Sequence, residues 1–190
     1  MDRSSVAMRV IGGKYRRRQL FRPGRNSGHL RPTYDFVREN IFNLIAGMIS
    51  DAHFLDLFAG TGSVGIEALS RGAADCVFVD SSQDSLSLIQ KNCVRLGIEP
   101  KRYRIIAKDA LDFLRDDFEP VFNVVFLDPP YGSDLFEKSI ALIGEHERGV
   151  EESLVVGQRG EPAEKDSFGN LIRTDQRKYG ITWVSLWSFA

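Results

Sequence analysis

From Phe54 onward, short apolar runs alternate with segments whose apolar residues recur at helical spacing. Runs at 54–58, 76–79, 103–107, 122–127 and 153–157 read as strands, and the segments between them as amphipathic helices. After Asp80 the helical period is plain: Leu86, Ile89, Cys93 and Leu96 form one stripe that stops at Gly97. Near-continuous apolar strands separated by helices predict an α/β fold, a mostly parallel sheet covered on both faces. Residues 171–175 and 181–187, separated by Lys178, Tyr179 and Gly180, predict a terminal antiparallel hairpin. Trp183 and Trp187 alternate with Ser185 on one face of its second strand, a pattern for covering the sheet.

Ahead of the sheet, Tyr34, Val37, Ile41, Leu44, Ile45 and Met48 trace one helix face, with Thr33 as its N-cap. Residues 8–11 and 18–21 read as two short strands around Gly12, Gly13 and a basic cluster, a small N-terminal β-hairpin. Two prolines and two glycines within 22–32 make an irregular linker. The expected organisation is a basic hairpin, arm and linker over 1–32 and a main domain over 33–190.

A chain of 190 residues, 43% hydrophobic, has enough core to fold as one domain without a metal or disulfide staple. Cys76 and Cys93 lie in apolar patterns with no metal-ligand spacing, which suits core thiols in a reducing compartment. With neither a membrane-spanning run nor a secretory leader, the cytoplasm is the expected location. Net charge is only -1, yet residues 1–31 carry +8 and the remainder -9. A basic arm on an acidic body points to a polyanion held at one place, through Lys14, Arg16, Arg17, Arg18 and Arg31; a merely solvated arm is the bland alternative. Interleaved Tyr15 and Phe21 favour a structured nucleic-acid contact. His29, His53 and His146 read as solvated polar residues.

The run HFLDLF leads into Gly60-Thr61-Gly62-Ser63-Val64-Gly65 and then a helix, with Asp80 20 positions beyond Gly60. This is the spacing of a nucleotide-binding turn: glycines let the backbone approach a ligand, and an acid ending the next strand accepts from ribose hydroxyls. Asp56 beside the turn would repel a pyrophosphate but suits a ligand bearing an amino group, such as S-adenosylmethionine. Asp109 ends the third strand at the same sheet edge, where it could accept from an adenine amine or cap the helix that follows.

The fourth strand delivers Asp128-Pro129-Pro130-Tyr131 to that edge. Two prolines end the ladder and fix a rigid turn. The turn presents a carboxylate, the Pro129 carbonyl and an aromatic ring, which suit a planar base with an exocyclic amine. The two acceptors would hold the amine hydrogens aside and aim its lone pair at a methyl carbon, provided the base is unpaired or flipped.

Together, Arg31-Pro32-Thr33, DLFAGTGSVGIEALSRGA at 56–73, Asp80, the DPPY of 128–131 and the Lys178-Tyr179-Gly180 hairpin resemble the bacterial small-subunit ribosomal RNA guanine-N2 methyltransferases, along nearly the whole chain from Met8. The resemblance implies a class I, Rossmann-like methyltransferase fold and S-adenosylmethionine as methyl donor. It implies methylation of the 2-amino group of one guanine in 16S rRNA within the small ribosomal subunit. By position, Asp56, Gly60, Thr61, Gly62, Asp80 and Asp109 would surround the cofactor and Asp128 would reach it. Asp128, Pro129 and Tyr131 would handle the base, while Lys14, Arg16, Arg17, Arg18, Arg31 and Thr33 would face RNA. A glutamate is expected at the end of the fifth strand in that family, whereas here Gly157 and Gln158 stand there. A DNA adenine-N6 methyltransferase shares DPPY, but 190 residues leave little room for a separate target-recognition region. A non-catalytic RNA-binding or assembly factor would keep the fold without the donor. A nicotinamide-dependent dehydrogenase leaves DPPY unexplained.

Overall fold

The computed structural model describes residues 8–22, 35–116, 121–145 and 153–190. Helix α1 (Asp35–Leu44) precedes an alternation of β1 (His53–Leu57), α2 (Ser63–Arg71), β2 (Asp75–Asp80), α3 (Gln83–Leu96), β3 (Tyr103–Ala107), α4 (Ala110–Arg115), β4 (Val124–Leu127), α5 (Leu135–Glu145) and β5 (Leu154–Arg159). Strands β6 (Ser167–Phe168), β7 (Leu171–Tyr179) and β8 (Thr182–Phe189) complete one eight-stranded sheet in the order β3-β2-β1-β4-β5-β8-β7-β6. The first five positions run parallel; β8 joins β5 antiparallel and pairs with β7.

The chain builds β1, β2 and β3 outward in one direction and then returns to lay β4 and β5 on the other side of β1. The order therefore reverses between β1 and β4, and ligands of open α/β sheets bind beyond the strand ends at such a point.

Alternation along each strand splits the core into two layers. Phe54, Phe78, Phe126 and Val156 share one cluster with Val37, Ile41 and Phe42 of α1, Ile66 and Leu69 of α2, and Ile89 and Cys93 of α3. Leu55, Leu57, Val77, Val79, Val125 and Val155 share the other with Phe113 of α4 and Ile140 and Ile143 of α5. Helix α3 begins where the Ser82 hydroxyl accepts from the Ser85 amide and stops at Gly97, whose left-handed conformation returns its amide to the Cys93 carbonyl.

Helix α1 ends earlier than the apolar pattern suggests: a short 3-10 turn covers Ala46–Met48, and Met48 is 44% exposed. Its expected cap Thr33, together with Tyr34, lies outside the described residues. Strand β1 releases the chain at Leu57 because Phe58 turns to a φ of 66°, a left-handed conformation rare for an aromatic residue. The C-terminal hairpin is longer than expected, and Trp187 is fully buried against Phe168, its indole N–H donating to Ser185 Oγ at 2.9 Å. Cys76 and Cys93 are free and buried; burial raises both thiols, Cys93 to about 12.

The N-terminal hairpin reduces to one antiparallel bridge between Arg9 and Gln19. Much of its hydrogen bonding goes to the body instead. Glu67 accepts the Ile11 and Gly12 amides at 2.8 and 2.7 Å, and Ser70 takes the Lys14 and Tyr15 amides on its carbonyl and hydroxyl. Met8, Val10, Tyr15 and Leu20 are buried in the cluster of α1, α2 and α3. Among the described residues, no helix is long and apolar enough to cross a membrane.

Candidate active site

A period of two along four adjacent strands sets the site. Two residues beyond Phe54, Phe78, Phe126 and Val156 come Asp56, Asp80, Asp128 and Gln158, so one sheet face turns polar along its carboxyl edge. Parallel register holds Asp80, Asp128 and Gln158 at one level, since Leu57 opposes Val79 and Leu127 and Leu127 opposes Gly157, whereas Asp56, opposite Phe78 and Phe126, lies one such period further into the sheet.

Asp80 organises the glycine loop. Its Oδ2 accepts the Gly60 amide and its Oδ1 the Ser82 amide, each at 2.8 Å. Each carboxylate oxygen has a second lone pair, so ribose hydroxyls can still donate to it. Gly60 and Gly62 have φ of 52° and 72°, and a Cβ on Gly62 would lie 2.8 Å from Ile89. On Gly65 a Cβ would meet Phe78 at 2.3 Å and Cys76 at 2.6 Å, so this third glycine lets α2 lie directly on the sheet.

Asp56 sits behind the loop, 1% exposed, with its Oδ2 accepting the Gly65 amide at 2.9 Å. Burial pushes its carboxyl well above the ordinary range, more than that amide lowers it, and the charges of Asp128 and Asp80 add to the rise. Its observed contacts pin the turn from strand to helix. Asp109 is exposed, and its Oδ1 accepts the Leu111 and Asp112 amides at 2.8 and 3.2 Å, the capping geometry. Thr61 is buried within the loop, its carbonyl accepting from Asn92 Nδ2 at 3.4 Å.

Across the switch point, Asp128 follows Leu127 directly. Its Oδ2 accepts from Gln158 Nε2 at 3.1 Å. Pro129 is buried and Tyr131 is 45% exposed, its ring over Gly160, where an added Cβ would touch it at 3.4 Å. Ser133 Oγ donates to the Pro130 carbonyl at 2.7 Å and closes the turn after the two prolines. The fold thus brings Gly60, Thr61, Gly62, Asp80, Asp128, Pro129 and Tyr131 to the reversal between β1 and β4, with Asp56 beneath.

Lys14, Arg16, Arg17 and Arg18 are exposed on the turn that docks on α2. Tyr15, read from sequence as a possible RNA contact, is 5% exposed and belongs to the core. Phe21 is 44% exposed with the Arg95 guanidinium 4.5 Å above its ring. Arg31, Thr33, His29 and His146 lie outside the described residues. His53 bonds Asp75 at 2.7 Å at the amino end of β1, opposite the site. A groove of about 230 Å³ lined by Asp75, Lys101 and Tyr103 is at that amino end too. Among the described residues no cluster of His, Cys, Asp and Glu could hold a metal ion.

Sequence reading missed three polar residues here. Glu67 is wholly buried in α2. Asn92 of α3 accepts the Phe21 amide at 2.7 Å while donating to Thr61, joining the N-terminal segment to the glycine loop. Its one signal was a polar residue three positions after Ile89 on an apolar stripe. Gln158 was noted only as a departure, not as a partner of Asp128.

Residues 8–188 match the family model described as conserved hypothetical protein 95. The YlbH protein of Bacillus subtilis strain 168 is 36% identical over 183 residues, 95% of this chain and 98% of that one. The ribosomal RNA small subunit methyltransferase D of Haemophilus influenzae is 40% identical over 140 residues, 73% of this chain and 72% of its own. A solved structure of the yhhF protein of Escherichia coli superposes with a TM-score of 0.81 at 31% identity, covering 96% of this chain and 98% of that one.

Proposed function

Because the chain belongs to the conserved hypothetical protein 95 family, we propose that it is an rRNA methyltransferase that transfers the methyl group of S-adenosylmethionine to the 2-amino group of one guanine in the small ribosomal subunit. Its fold is that of the class I S-adenosylmethionine-dependent methyltransferases. The observation that carries the reading is the placement of Asp128 and the rigid Pro129-Pro130 turn across the strand reversal from the glycine loop that Asp80 holds.

S-Adenosylmethionine would supply an activated methyl group on its sulfonium. The residues present fit it: Gly60 and Gly62 bring bare backbone to the loop, and both Asp80 oxygens keep acceptor capacity for ribose hydroxyls. Asp56 would act through the loop shape it fixes. Asp109, its Oδ1 in the helix cap, would offer its carboxylate to the adenine amine.

Guanine's exocyclic nitrogen is a poor nucleophile because its lone pair is delocalised into the ring. Asp128 and the Pro129 carbonyl would each accept one of its hydrogens, turning the lone pair toward the donor, and Tyr131 would cover the base. As the nitrogen gains charge, the Asp128 carboxylate stabilises it and is placed to accept the proton it sheds. Lys14, Arg16, Arg17, Arg18, Arg31 and Thr33 would hold the RNA backbone.

The test is incubation with methyl-labelled donor and small subunits from cells lacking the enzyme. Label should enter 16S rRNA and map to one N2-methylguanine. Label in duplex DNA instead, or none in rRNA, would overturn the reading.

A further inference from the structure

Gln158 occupies the end of β5 beside Asp128, on the same sheet face. It is 4% exposed, and its Nε2 donates to Asp128 Oδ2 at 3.1 Å. The orientation of this amide is dictated by chemistry, since an ionised carboxylate only accepts and the NH2 must face it. Oε1 is thereby turned away, and it is buried with no hydrogen-bond partner among the described residues. Its cross-strand neighbour on β8 is Val184, which has no side-chain donor. A buried acceptor left without a donor is costly, and such groups call for an explanation.

The base proposed above supplies the missing donor. On its Watson–Crick edge guanine presents N1–H next to the 2-amino group, two donors side by side. Adenine presents an acceptor at N1 beside its amine. A carboxylate and an amide oxygen held together by one hydrogen bond form a pair of acceptors that match guanine and leave adenine facing an acceptor. We infer that Gln158 is a specificity residue: its Oε1 accepts the N1–H of the target guanine while its Nε2 fixes the Asp128 carboxylate for the 2-amino group. This rests on the guanine reading of the site. It also gives a role to the position where the family resemblance implied a glutamate. A glutamate ionised there would face Asp128 as a second negative charge and offer it no donor.

The experiment uses small subunits reconstituted with 16S rRNA carrying either guanine or 2-aminopurine at the mapped target. 2-Aminopurine keeps the 2-amino group but has no hydrogen on N1. The wild-type enzyme should prefer guanine in kcat/KM. In Gln158→Leu both bases should react more slowly, because each loses the fixed Asp128 carboxylate, but guanine should lose about tenfold or more beyond 2-aminopurine, because guanine alone also loses the acceptor of its N1–H. Gln158→Met, with a flexible apolar side chain of similar length, repeats the measurement, and thermal melting of both variants reports folding. A loss shared equally by both bases, or a preference altered by less than about threefold, overturns the role of Gln158. A wild-type enzyme that methylates no guanine overturns the underlying reading instead, before any variant is compared.

Discussion

Glu67 and Ile11 are joined across 56 residues of sequence, the Ile11 amide donating to Glu67 Oε2 at 2.8 Å. The same carboxylate accepts from Gly12 and from Arg71 Nε, and lies 3.7 Å from the buried Arg38 guanidinium. It is a buried anchor for the N-terminal segment, alongside Ser70 and Asn92. Replacing Glu67 with Ala takes the acceptor from two amides and from Arg71 Nε, and the nearby negative charge from the buried Arg38. A loss of about 3–5 kcal/mol in unfolding free energy is expected by denaturant titration. Amide exchange at Ile11 and Gly12 should accelerate in the same variant, and unchanged protection there would show that the apolar contacts of Met8, Val10 and Leu20 suffice.

Asp56 sets a pH dependence whose sign is determined. Burial raises its carboxyl well above the ordinary 3.8 in the folded protein. As pH climbs past that value the unfolded chain sheds this proton first, so the folded state loses stability until the buried group also ionises. Asp56→Asn keeps an oxygen for the Gly65 amide and removes the titration. Melting curves of the two proteins, collected from about pH 4 to about pH 7, should diverge in favour of the variant as pH rises. Parallel curves would mean that the buried carboxyl titrates as it does in the unfolded chain.

Asp128→Ala should leave binding of S-adenosylhomocysteine, measured by calorimetry, within about threefold of wild type while kcat falls about 100-fold or more. A loss confined to cofactor affinity would place this carboxylate at the donor instead of the base.

Changing Arg16, Arg17 and Arg18 together to Gln removes three exposed cations from a turn that Glu67 and Ser70 dock on α2, with the loss of one exposed hydrogen bond from Arg18 to the Arg95 carbonyl. RNA affinity should drop, and the slope of log K against log salt should become shallower by about 0.7 for each phosphate no longer neutralised. An unchanged slope would take this turn out of the RNA interface.

The parallel sheet and the glycine turn were legible because their signals are local: apolar strand runs, a helical stripe closed by Gly97, and DPPY breaking a ladder; the strand order and its reversal between β1 and β4 were not. What escaped depends on register between distant segments. Asp128 and Gln158 lie 30 residues apart and meet only because Leu127 opposes Gly157. Glu67 looked like an ordinary helix residue, since nothing nearby reveals that its partners are the amides of residues 11 and 12. In the N-terminal segment the pairing of 8–11 with 18–21 was legible, but the run of arginines hid the burial of Tyr15. Net charge there pointed outward while the apolar side chains pointed in.

Helix α2 has the glycine loop at its amino end, capped by Gly62, and the docked basic turn on Ser70 in its last turn. Nine residues at 1.5 Å each make a strut of about 13 Å. If phosphates are gripped at one end and the methyl donor at the other, the strut works as a caliper. Nucleotides whose sugar–phosphate path does not match that gap cannot bring an amine to the donor, whatever their sequence.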